Sequence, residues 1–147
     1  MMKSLLRALT ISICFATTAH ADFSGDWVGT GTAKDNGNWQ APCNPMEFKI
    51  AQTPATLMIN YGHYKCGNEL ESTWSPVTLT IHGNQLISKG KVVGTINQQN
   101  IHAENNDPQI RQVIDVTLTN AGLTYNETMT ANAQKYILTV QGQLQKH

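Results

Sequence analysis

From residue 110 onward, apolar and polar side chains alternate with a period of two over three consecutive runs. Ile110, Gln112, Ile114, Val116 and Leu118 share one face against Arg111, Val113, Asp115, Thr117 and Thr119. Leu123, Tyr125, Glu127 and Met129 oppose Thr124, Asn126, Thr128 and Thr130. Tyr136, Leu138, Val140, Gly142 and Leu144 oppose Thr139, Gln141, Gln143 and Gln145, with Ile137 the exception. That is the period of strands with one buried face. The links between them, Asn120-Ala121-Gly122 and Ala131-Asn132-Ala133-Gln134, are short and polar, which makes neighbouring strands antiparallel. The last third is a three-stranded meander.

The middle of the chain repeats the pattern less regularly. Phe23 to Gly31 reads as an opening strand, and Met46, Phe48 and Ile50 alternate with Glu47, Lys49 and Ala51. After a turn at Gln52-Thr53-Pro54-Ala55, the set Leu57, Ile59, Tyr61 and His63 shares one face. Asn68 to Trp74 reads as a strand ended by Ser75-Pro76. Val77, Leu79 and Ile81 lead through His82-Gly83-Asn84 to Leu86-Ile87, and Val92 to Ile96 and Ile101 to Glu104 follow. Lys34 to Pro45 is the longest strand-poor stretch and reads as a loop. Gly, Asn, Pro and β-branched residues oppose helix throughout. The expected fold is all-β: an antiparallel up-and-down meander of about eight to ten strands closing into a barrel or clam, which covers its own edges. A two-sheet β-sandwich is the alternative.

The first residues carry a different message. Lys3 and Arg7 precede a short apolar run, Leu5 to Ala16, and Ala19-His20-Ala21 has the small-x-small form of a signal-peptidase site. The run is too short to anchor in a bilayer. Residues 1–21 are therefore expected to be a cleaved signal peptide and residues 22–147 a single β-barrel-like domain. The product would be exported, periplasmic or secreted. Cys14 falls inside the discarded piece, and bulky Ile13 before it argues against lipidation. Removing Lys3 and Arg7 leaves eight basic residues against ten acidic ones, a charge near −2. That offers no electrostatic case for nucleic acid or an anionic membrane surface, and no integral membrane segment is expected in the mature chain. Cys43 and Cys66 remain, an even pair that reads as a disulfide in an oxidising compartment.

Gly25-Asp26-Trp27, at the head of the first strand, resembles the G-x-W signature of the lipocalins and the wider calycin group. The resemblance implies a barrel plugged at one end by the tryptophan and open at the other as a pocket, with Trp27 as core plug or ligand contact. The chain departs from that pattern in two ways. It has no match to the group's second motif, and no Arg stands near the final strand to cover the ring; Lys135 and Lys146 are the nearest cations. The resemblance names no ligand.

Candidate chemistry is sparse. His63, His82, His102 and His147 are scattered without metal-ligand spacing, so no metal site or cofactor is expected. Ser88-Lys89-Gly90-Lys91 matches Ser-x-x-Lys, but that chemistry needs a helical turn, whereas Gly90 between strand patterns predicts a β-turn. Asn126-Glu127-Thr128 is a glycosylation sequon that matters only in a eukaryotic secretory host. No catalytic motif appears, and an enzyme is not expected. The inward faces hold better clues, because strict alternation puts Glu127, Gln112 and His63 among apolar neighbours. A buried carboxylate is costly unless paired. Trp27, Tyr61, His63, Gln112, Tyr125 and Glu127 are therefore candidate ligand-binding residues around a partly polar cavity. The competing placements for Glu127 and His63 are a wet barrel rim or a structural buried pair. The leading function is non-catalytic binding of a small, mainly apolar ligand. The alternative is a protein–protein module, such as an envelope-associated or secreted inhibitor, presenting Trp39 and Pro42 on the loop held by Cys43.

Overall fold

A computed structural model describes residues 22–133 and 135–147; the expected leader lies outside them. Eleven strands follow one another: β1 (Gly25–Asp35), β2 (Gln40–Gln52), β3 (Thr56–Cys66), β4 (Leu70–Trp74), β5 (Val77–His82), β6 (Gln85–Ser88), β7 (Lys91–Ile96), β8 (Asn100–Asn106), β9 (Ile110–Thr119), β10 (Gly122–Ala131) and β11 (Tyr136–Lys146). The hydrogen-bonded order is β2-β1-β11-β10-β9-β8-β7-β6-β5-β3, and a further β2–β3 pairing closes it into a ring. Every pairing is antiparallel. The domain is a closed ten-stranded up-and-down barrel rather than a sandwich. β4 is the eleventh strand and stands outside the ring order. It pairs with Gly62–Cys66 of β3, while β5 pairs with Thr56–Ile59 of the same strand edge.

The C-terminal meander has the expected register, with Leu118 opposite Leu123, Val116 opposite Tyr125, and Leu144 opposite Leu123. Leu138, Val140 and Leu144 are buried and Ile137 is exposed, as the alternation requires, whereas Tyr136, expected on the buried face, is exposed at the start of β11. Lys89 and Gly90, at φ 49° and 77°, form the turn between β6 and β7. The Ser-x-x-Lys match therefore has no helix to act on.

The strand-poor stretch is a correction. Only Asn36 to Trp39 lie between β1 and β2. There the Asp35 carboxylate accepts from the backbone N–H groups of Gly37 at 2.9 Å and Trp39 at 3.1 Å, an Asx-type turn. Gln40 to Pro45 belong to β2, and Trp39 packs against the core rather than standing free. Pro42 and Pro45 hid the strand. Cys43 pairs with Cys66 while Met46 pairs with Tyr64, so β2 carries one extra residue between them. This bulge switches which parity faces inward.

Small residues follow Trp27 on the inner face of β1: Gly29, Gly31 and Ala33. Gly31 lies opposite Gly142, and Met46, fully buried, occupies the room their missing side chains leave. Around Gly31 and Gly142 the barrel interior is thus filled by Met46.

Cys43 and Cys66 are joined across the β2–β3 ladder, closing a loop of 23 residues' separation. On the chain-entropy relation such a loop contributes about 3 kcal/mol. Cys43→Ala/Cys66→Ala should lower unfolding stability by about that amount in urea titration, with the native strand signal in circular dichroism unchanged before the transition.

Candidate functional site

A cavity of about 460 Å³ lies inside the barrel. Leu57, Leu79, Ile101, Val116, Leu123 and Leu144 enclose its apolar depth, and Phe48, Trp74 and Tyr125 form an aromatic wall. Ser75, Ser88, Asn105 and Gln112 supply polar groups, with Glu104 beside them. These polar residues lie toward the end where β6 and β8 finish and β9 begins. Trp27 lies at the opposite end, with β1 beginning beside the end of β11. Among the described residues no helix is long and apolar enough to cross a membrane, and no group of three His, Cys, Asp or Glu could hold a metal ion.

The aromatic wall depends on a glycine. Phe48, Gly62 and Trp74 lie side by side on β2, β3 and β4. A side-chain carbon on Gly62 would come within 3.1 Å of the Phe48 ring and 3.2 Å of Trp74. Without it, Phe48 and Trp74 meet edge to face at 5.5 Å, and Tyr125 lies 4.8 Å from Phe48 and 6.2 Å from Trp74.

Behind this wall sits Glu127, 1% exposed. One carboxylate oxygen, Oε2, accepts from the hydroxyls of Tyr64 at 2.9 Å and Tyr125 at 2.7 Å. The other, Oε1, accepts from the Gln112 side-chain amide. Three donors converge on a group that, as a carboxylate, only accepts. Every buried side-chain N or O among the described residues has a partner. Burial, followed by the charge and hydrogen bond of Glu127, holds the Tyr125 hydroxyl well above the ordinary tyrosine range. Tyr64 is raised by the same causes in the same order. Both phenols therefore stay protonated and able to donate at any physiological pH.

The sequence-predicted residues separate into three groups. Gln112 and Tyr125 line the cavity, and Glu127 stands one hydrogen bond behind it. Glu127 is therefore neither at a wet rim nor half of a simple pair, but the centre of a four-residue network. Trp27 is 4% exposed, and its indole N–H donates to the Phe23 carbonyl at 2.9 Å. It is not among the cavity-lining residues, and it seals the end where β1 starts. The Lys146 ammonium lies 5.7 Å from the centre of its ring, a cation over the plug where an Arg was absent. Tyr61 and His63 are the correction. Lys49 pairs with Tyr61 while Ile50 pairs with Ile59, so Asn60 is an extra residue in β3. The bulge turns Tyr61 and His63 to the outer face, where their rings stack at 6.3 Å and His63 meets Glu71 at 3.1 Å. Tyr64 takes the inward place instead. Its one sequence signal was Gly62, since a glycine within a strand marks a bulge or a close approach.

On the outer wall, His102 Nδ1 bonds to Asp115 at 2.7 Å and Nε2 lies 3.4 Å from Glu104. The Asp115 hydrogen bond, ahead of the smaller opposing effect of burial, raises the His102 pKa from its usual 6.5. A raised folded-state value means the pair's contribution is complete below about pH 6.5 and fades as pH rises through the higher value. Being largely exposed, it is worth no more than about 0.5 kcal/mol. Titration of the His102 ring by NMR should show the raised midpoint, and Asp115→Asn should lower it.

No protein-family model matches the chain, and no curated protein matches it. Among solved structures, the barrel is similar to the S-type phycobiliprotein lyase CPES from Guillardia theta. The TM-score is 0.64 at 6% sequence identity, covering 85% of this chain and 88% of that one. At that identity the likeness is one of fold alone, and fold does not carry function.

Proposed function

We propose that this protein is an exported, non-catalytic binder of a small, mainly apolar ligand, held in the barrel cavity. The observation that carries the reading is the cavity itself. Its volume of about 460 Å³ falls within the roughly 300–1,000 Å³ of small-molecule sites. Its lining also has the usual balance of such sites, many apolar side chains and a few convergent polar ones. The Cys43–Cys66 bridge supports export to a periplasmic or extracellular space, where disulfides persist.

The test is direct. N-phenyl-1-naphthylamine, whose fluorescence rises in apolar surroundings, should bind saturably with one site per chain. Ala103→Trp, which fills the cavity from its wall, should weaken that binding at least tenfold while leaving circular dichroism unchanged. Native mass spectrometry should likewise find a retained small molecule or a titratable site. No saturable probe binding, or binding indifferent to Ala103→Trp, would remove the cavity from consideration.

A further inference from the structure

We propose that the cavity selects a lipophilic cation, an amine or quaternary ammonium on an apolar tail, because an aromatic wall lines it and a buried carboxylate stands one hydrogen bond behind that wall. This rests on the binding reading above and adds the charge of the ligand. Phe48, Trp74 and Tyr125 line the cavity together. The faces of such rings are electron-rich and attract cations, most strongly where water is excluded. Tyr125 and Gln112 are both wall residues and donors to Glu127. One hydrogen bond therefore separates the carboxylate from the ligand space.

Among the described residues no cation pairs with that carboxylate. The ion pairs among the described residues involve Lys49, His63, His102 and Arg111, and none reaches Glu127. The cavity lining contains no Lys, Arg or His. Its one charged member, Glu104, is an acid, and Arg111 and His102 pair with it on the outer side. In an apolar enclosure a charge is felt more strongly than in water. A carboxylate ligand would meet a like charge there, and an ammonium would meet its complement.

Three ligands sharing an octyl chain separate the outcomes when titrated calorimetrically into the intact protein. Octyltrimethylammonium should bind at least tenfold more tightly than 1-octanol, and octanoate at least tenfold more weakly. Glu127→Gln should leave octanol affinity unchanged and reduce the preference for the cation to less than threefold. The new amide's oxygen can still accept from both tyrosines, and the Gln112 amide can turn to face its nitrogen. Trp74→Leu keeps the carboxylate and removes one ring, so the cation preference should fall severalfold even if Glu127→Gln does not fold. If octanol binds and the cation binds no better, or if both variants keep the full preference, the charge selection is wrong and the apolar site stands. If none of the three binds, the cavity reading falls with it.

Discussion

Glu127→Leu should destabilise the barrel by about 3–5 kcal/mol, read as a lowered urea midpoint by tryptophan fluorescence. The leucine fits the space but accepts nothing. The Tyr64 and Tyr125 hydroxyls and the Gln112 amide lose a common acceptor, and each buried donor left unpaired costs about 1–3 kcal/mol. Gln112 reaches the cavity and can recover part of its loss from water; the two phenols cannot. Glu127→Gln should cost only about 1 kcal/mol, since the tyrosines keep an oxygen. Adding Tyr64→Phe and Tyr125→Phe to Glu127→Leu should recover much of the loss, because removing a whole buried polar network is gentler than breaking it. A Glu127→Leu protein as stable as the parent would mean that the network is incidental to folding.

Trp27→Ala should cost a similar amount, about 3–5 kcal/mol, but for an apolar reason. The ring is buried at the closed end, anchored by its bond to the Phe23 carbonyl and covered by Lys146. Phe23, fully buried itself, loses its neighbour when the indole goes. Trp74→Ala makes the useful contrast. Trp74 is half-buried on a strand paired along one edge, so its removal should cost less stability and more probe affinity. Equal effects of the two substitutions on binding would mean that Trp27 is more than a plug.

Much of the barrel could be read from period two alone, and its failures have a common cause. β9, β10 and β11 contain no bulge, and the residues expected to face inward keep that register, with Ile110 and Tyr136 exposed at the strand ends where the barrel stops. In β2 and β3 one extra residue, at Asn44–Pro45 and at Asn60, shifts the parity part-way along. Beyond Ile59 the alternation continues in phase on paper, so Tyr61 and His63 looked inward and Tyr64 outward. The two prolines near Cys43 argued against a strand for sound reasons, yet Pro42 and Pro45 sit at positions the irregular ladder tolerates. Glu127 was legible as an anomaly because its strand is regular. Its partners were not, since Tyr64 lies 63 residues away and across a bulge. Cavities are equally hidden from a one-dimensional reading. Whether Gly31 and Gly142 leave a hole or a seat for Met46 depends on which chain comes opposite.

The half-attached strand beside Ser75-Pro76 has a mechanical consequence. Each strand of a closed ring is stitched along both edges, so opening a ring usually means undoing two seams at once. β4 is held by five residue pairs to β3 and by none on its far side. Peeling it back unzips a single short row and leaves the hoop of ten intact. The same motion carries Trp74 away from Phe48 and Tyr125. The barrel thus possesses a flap at its wet end, and the ring that would grip a guest is mounted on it.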